Sequence, residues 1–244
     1  LREQKEAYAR QTRLLLAVPP YKGKFMASFR WALVDIQTTG LHVTQDEIIE
    51  IAVLILTPSG VEHKWHRLIK PQRTIPQSIS SLTGITNGMV TNAPSFEKIA
   101  QELLELLHPC IFVAHNARFD FGFIKNEFKK AGLTYQTPVL CSIKLLKQFY
   151  LELTNFNLAH VAETFGLTPH RQARAEADLD VLLQVLLQLG ARHSWEIVLD
   201  MAKAIYQKSS IPSKLNTDIR QFPESAGVYI FYGDQNELPL YIGK

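Results

Sequence analysis

Between Ala32 and Leu189 the chain alternates short, continuously apolar runs with segments whose apolar residues recur every three or four positions. That alternation restricts it to an α/β architecture, strands in one layer and amphipathic helices over them. Ala32-Leu33-Val34-Asp35-Ile36 reads as a central strand, Thr38-Thr39-Gly40 as a turn, and Ile48 to Thr57 as a second strand closed by Pro58-Ser59-Gly60. Residues 61–69 suggest a third strand one hairpin away. After a loop rich in turn formers, Phe96, Ile99, Ala100, Leu103 and Leu107 mark one helix face, entered through Pro94-Ser95. Cys110–Ala114 and Val139-Leu140-Cys141 read as further strands, with helical periodicity through Phe128 between them. Helices are expected over 141–151, over 158–165, and from Thr168-Pro169 to Leu189 with Leu179, Leu182, Leu183 and Leu186 as a buried stripe. The expected fold is a mixed, mainly parallel sheet flanked by helices.

A hydrophobic share of 46% with 20% charged residues suits an ordinary soluble protein with one sizeable core and a smaller second unit. Cys110 and Cys141 sit in apolar runs without metal or disulfide spacing, which implies core thiols in a reducing compartment. No run of 18 uncharged apolar residues occurs, and Glu3 and Glu6 interrupt the opening segment, so a cytoplasmic protein with no membrane partner is expected. The net charge of +3 conceals a leader, residues 1–25, with a net charge of +4, so the pI says little about nucleic-acid binding. The expected organisation is a basic extension over 1–28, a main domain over 29–190, a helical connector and linker over 191–223, including Ser209-Ser210-Ile211-Pro212-Ser213, and a second domain opening at 224–244.

Asp35 and Gln37 stand two apart on a strand and leave the same face. Asp120 follows another apolar strand, and Asp178 lies beside the apolar stripe of the longest helix. Acids so placed can converge on divalent ions that activate water and stabilise the leaving oxygen of a phosphodiester. Each also has a local reading: Asp35 accepting bonds from the Thr38-Thr39 turn, Asp120 capping a helix, Asp178 on a solvated face. Singly, His115 and His170 read as structural or solvated histidines and Phe119 as core. Arg118, Lys125, Lys129 and Lys130 either solvate a helix or meet phosphates.

Asp35-Ile36-Gln37-Thr38-Thr39-Gly40, His115-Asn116-Ala117-Arg118-Phe119-Asp120 and Ala173-Arg174-Ala175-Glu176-Ala177-Asp178 together resemble the three motifs of the DnaQ-like, DEDDh family of 3′–5′ exonucleases. The connecting sequence Leu82-Thr83-Gly84-Ile85-Thr86 and Ala93-Pro94-Ser95-Phe96 is similar too. The resemblance implies a ribonuclease H-like fold, two Mg²⁺ or Mn²⁺ ions in an active member, and Asp35, Asp120 and Asp178 as their ligands. It implies contacts to the terminal nucleotide from Thr38, Thr39, Gly40, His115, Asn116 and Phe119. DNA with a free 3′ end is the expected substrate, RNA the alternative, and repair or replication proteins the expected partners.

Two catalytic positions depart from the family pattern. Gln37 occupies the place of a glutamate and Ala173 that of the histidine base, so impaired hydrolysis is expected. His170 lies eight residues before Asp178, about 12 Å of helical rise, against about 7.5 Å for the family's spacing of five. Farther on, Gly227-Val228-Tyr229 and Tyr241-Ile242-Gly243 resemble the paired strands that open a GIY-YIG endonuclease domain of the UvrC/Cho type. That resemblance implies a truncated second α/β domain whose Tyr229 and Tyr241 lack the later arginine and glutamate of such a site.

Overall fold

Trp31–Thr38 forms the central strand, β1, because apolar residues leave both of its faces and both are covered. The computed structural model describes residues 29–168, 172–207, 227–232 and 239–243. The basic leader, His170 and the linker at 209–213 lie outside the described residues. Beside β1 run β2 (Ile48–Thr57), β3 (Gly60–Leu68), β4 (Ile111–Ala114) and β5 (Val139–Cys141), in the order β3-β2-β1-β4-β5. The β1/β2 and β2/β3 pairs are antiparallel, whereas β1/β4 and β4/β5 are parallel. The sheet is therefore half parallel rather than mainly so. Short connections force neighbours to run antiparallel, and only the helical crossovers after β3 and β4 permit parallel pairing.

Among the described residues the helices are α1 (Gln77–Thr83), α2 (Asn87–Val90), α3 (Phe96–Leu107), α4 (Arg118–Lys130), α5 (Ser142–Phe149), α6 (Leu158–Thr164), α7 (Ala175–His193) and α8 (Trp195–Tyr206). One sheet face, including Ala32, Val34 and Ile36, packs on Ile99, Leu103 and Leu107 of α3 and Phe123, Ile124 and Phe128 of α4. The other, including Trp31, Leu33, Leu54 and Val113, packs on Leu145, Val161, Leu179, Leu182, Leu186 and Val198 from the later helices. Two-sided burial makes β1 and β2 largely apolar, with Asp35 and Gln37 as exceptions in β1 and Glu50 in β2. α1 and α2 occupy the stretch expected as loop. They are too short for periodicity to reveal, and Ile75, Ile85 and Val90 seat them on Ile49.

α7 starts at Ala175, later than the expected 168, and α8 packs Val198 and Ala202 into the same core. The boundary between two compact units falls between 208 and 209. In the second unit, β6 (Tyr229–Tyr232) and β7 (Pro239–Gly243) pair antiparallel with Phe231 opposite Tyr241. Both strands were legible as apolar runs around a polar turn.

α8 reaches the core through Trp195, whose indole stacks on Phe29 at 5.8 Å and meets Trp31 edge-on at 6.2 Å. A Cβ at Gly190 would stand 2.3 Å from that indole. Gly190→Ala should thus destabilise the protein by roughly 1–2 kcal/mol, overpacking outweighing the better helix propensity of alanine. A urea titration should show a lower midpoint with unchanged slope; an unchanged midpoint would mean that Trp195 is not seated there.

Candidate active site

Asp35 and Gln37 leave β1 on the face that α7 covers. The Gln37 amide Nε2 donates to Asp35 Oδ2 at 3.1 Å. Beyond them the chain turns. Thr38 Oγ1 donates to the Gly40 carbonyl, and Thr39 Oγ1 donates to Asp46 at 3.2 Å while accepting from the Glu47 N–H at 3.0 Å. Both threonines are buried, so their hydroxyls hold the loop together. A Cβ at Gly40 would lie 2.5 Å from the Asp46 carboxylate, which explains why the turn needs glycine. The next residue, Leu41, is 77% exposed.

Asp120 stands in the first turn of α4 and is buried. Burial pushes its carboxyl up to about 8, against backbone N–H bonds from itself and Ile36, with the Asp178 charge adding to the rise. Asp178, one turn into α7, is pushed up to about 7 by burial and by the charge of Glu50. Asp35 is raised well above the carboxylate range by burial and then by Asp120 and Asp178. The fold therefore gathers Asp35, Asp120 and Asp178 from β1, α4 and α7 into one electrostatic neighbourhood. Among the described residues, no lysine or arginine is a cause of any of the three shifts. Among the described residues, no three His, Cys, Asp or Glu side chains form a ready-made ion cage.

The remaining candidates divide. Ala173 precedes α7, with its N–H donating to the Leu82 carbonyl at 3.3 Å, which ties this segment to α1. His115 has both ring nitrogens engaged, one with Ser142 Oγ at 2.8 Å and the other with the Phe156 carbonyl at 2.6 Å. Its burial lowers its pKa, so it anchors the loop before α6 as a neutral ring. Asn116 is exposed in the left-handed region with φ 66°. Phe119 packs on Phe123, ring centres 4.9 Å apart. Arg118 and Lys125 are exposed on α4, while Lys130 pairs with Glu127. Tyr229 and Tyr241 lie on β6 and β7 of the second unit.

Sequence reasoning missed Glu50. It is fully buried and accepts from Arg174 Nη2 at 2.6 Å, from the Ala175 N–H at 2.9 Å and from His66 Nε2 at 2.9 Å. Burial alone would raise its carboxyl, but the bonds from His66, Arg174 and Ala175 outweigh it and hold the group at about 2. One signal was available: a lone acid inside the apolar run Ile48 to Leu56.

The profile of the RNase T exonuclease family matches residues 33–186, the whole span that builds this site. The chain belongs to the DEDDh 3′–5′ exonuclease superfamily. A PolC-type DNA polymerase III from Thermotoga maritima is 39% identical over 159 residues, 65% of this chain but 12% of that protein. A 3′–5′ exonuclease DinG from Staphylococcus saprophyticus is 32% identical over 185 residues, 75% of this chain and 20% of that protein. The chain thus spans a small part of the length of these curated relatives. Among solved structures, exonuclease X in complex with 5′ overhanging duplex DNA superposes with a TM-score of 0.56 at 22% identity, covering 70% of this chain and 99% of that one. Exonuclease I superposes at 0.63 with 17% identity, covering 70% of this chain and 42% of that one. These two support the fold of the exonuclease domain.

The raised carboxyls of this exonuclease domain set a pH dependence. An unfolded aspartate loses its proton near about 3.9, whereas Asp178 and Asp120 keep theirs to about 7 and about 8. Between these values the folded state binds more protons, so metal-free stability should fall as pH rises from about 4 to about 8. Thermal unfolding at pH 5.5, 7 and 8.5 should show this decline, with Mn²⁺ raising Tm most at pH 8.5. A Tm that climbs steadily across the range without metal would contradict it.

Proposed function

We propose that this domain binds the 3′ end of a DNA strand over Asp35, Asp120 and Asp178 and releases mononucleotides from it slowly, with a divalent cation as cofactor. One observation carries the reading: three carboxylates sharing one field on an exonuclease fold, with Gln37 bonded to one of them. Hard carboxylate oxygens, with no cationic side chain among the described residues contributing to their shifts, suit Mg²⁺ or Mn²⁺. Asp35, Asp120 and Asp178 would hold the ions. Bound there, the cation supplies polarisation of water and neutralisation of phosphate charge.

The chain's own residues explain why the reaction would be slow. Gln37 brings no charge and spends its amide N–H on Asp35, so two ions would be held by one fewer anion than in the family pattern. Ala173 has no group to take a proton from the attacking water, a loss typically costing about 10²–10⁴ in rate. Leu41, exposed beyond the Thr38–Gly40 turn, offers an apolar edge for a base, and Asn116 and Arg118 at the start of α4 offer polar contacts to the strand.

The same two replacements favour a second reading, a module that holds a 3′ end without cutting and presents DNA to another nuclease domain. Gly227-Val228-Tyr229 and Tyr241-Ile242-Gly243, paired through β6 and β7, fit the opening of a GIY-YIG domain in such a protein. Its boundaries would be 29–190 for the exonuclease domain, 191–223 for the connector and 224–244 for the second domain. Work in repair or replication would suit this layout.

End-labelled single-stranded DNA with Mn²⁺ separates the two readings. We expect slow mononucleotide release, tighter Mn²⁺ binding with Gln37→Glu, and a large gain in rate in the double variant Gln37→Glu/Ala173→His with a profile rising near about pH 6.5. The gains should not add, because ion placement positions the water that the histidine must reach. A folded double variant that binds 3′ ends yet stays inert would leave the end-binding reading.

A further inference from the structure

α7 begins without a cap of its own: Arg174, at its N-cap position, makes no side-chain capping bond. The free N–H of Ala175 is instead met by Glu50, reaching across from β2 at 2.9 Å. Arg174 closes a fork on the same carboxylate, Nε at 3.0 Å and Nη2 at 2.6 Å from Oε1. His66 of β3 adds a third contact at 2.9 Å, and its other ring nitrogen lies 3.4 Å from Glu176 of α7. Lys64, two residues earlier on β3, bonds Asp180 at 2.9 Å. Glu50 stands directly opposite Gln37 in the β1/β2 register, so the group that grips α7 rises from the residue pair at the centre of the site.

We propose that Glu50 is the positioning residue of this site: a helix cap supplied by the sheet, which with Arg174 fixes where position 173 and Asp178 stand relative to Asp35 and Gln37. The physics favours a geometric role over an electrostatic one. The negative charge of Glu50 raises the pKa of both Asp35 and Asp178, which opposes their ionisation and hence cation binding. What it supplies is orientation. A buried anion held by a forked guanidinium, a helix N-terminus and an imidazole has one low-energy arrangement, and Asp178 lies one turn along the helix, its N–H bonded to the Arg174 carbonyl at 2.9 Å. Outer partners bonded directly to ligating groups commonly change metal affinity on the order of 10- to 100-fold when removed; Glu50 acts one step farther out, through the helix, so its effect should lie at the low end.

The inference rests on the proposed cation site, and its test separates the two. Amide hydrogen exchange over 175–179 and Mn²⁺ affinity by electron paramagnetic resonance would be measured on the full chain, on Arg174→Lys and on the paired variant Glu50→Gln/Arg174→Met. Lysine keeps the charge but loses the fork; the paired variant removes the buried Glu50 charge together with its partly exposed Arg174 partner, so neither is left unpaired. Both should lose exchange protection at Ala175 to Asp178 while Val34 and Leu54 stay protected, and Mn²⁺ affinity should fall on the order of tenfold. Unchanged protection over 175–178 in both variants overturns the proposal whatever the metal does. Lost protection with native Mn²⁺ affinity also overturns it. If the unaltered protein binds no Mn²⁺, the cation reading fails, and exchange alone then decides whether Glu50 positions α7.

Discussion

A carboxylate with no exposure to solvent, Glu50, joins the sheet to the helix that covers it. Moving an anion out of water costs several kcal/mol, and only partners on nearly every side offset it. The fold supplies them from three places: the sheet through His66, the segment before α7 through Arg174, and the helix end through the Ala175 N–H. Removing one partner of such a group typically costs about 3–5 kcal/mol, because the other is left buried and unpaired. The arrangement ties α7 to β2 and β3 at one place, and Gln37 of β1 lies beside it.

That tie has an electrical consequence. The ionised Glu50 pushes up Asp178 and Asp35, which already repel one another and Asp120. Burial and mutual repulsion thus favour the protonated forms of Asp35, Asp120 and Asp178. Gln37, at the one family position that has lost its acid, relieves some of this repulsion and donates to Asp35.

The sheet explains where the site sits. β1 ends at the turn carrying Gly40, and parallel β4 delivers His115 and then the helix bearing Asp120 at the same edge. His115 does not face a ligand with a free nitrogen; it staples the loop before α6 through the Phe156 carbonyl. Motif residues therefore serve two purposes here, some holding the edge together and others opening onto it.

From the sequence alone the strands were legible, because burial on both faces leaves continuous apolar runs such as Ile51 to Leu56. The placement of Asp35 and Gln37 on one face followed from the two-residue period of a strand. The departures at Gln37 and Ala173 were legible by comparison with the family motifs. Sheet order, the antiparallel half and the starting point of α7 were not. They depend on contacts between residues far apart in the chain, and α1 and α2 are too short for any periodicity to show. Above all, Glu50 looked like one acid in a strand. Its role arises only when Arg174, 124 positions away, closes on it, and no local pattern encodes that meeting. The sequence by itself determined which groups are present and which face each leaves; the tertiary structure decided their charges, because burial and neighbouring ions, the two causes of those shifts, exist only in the folded chain.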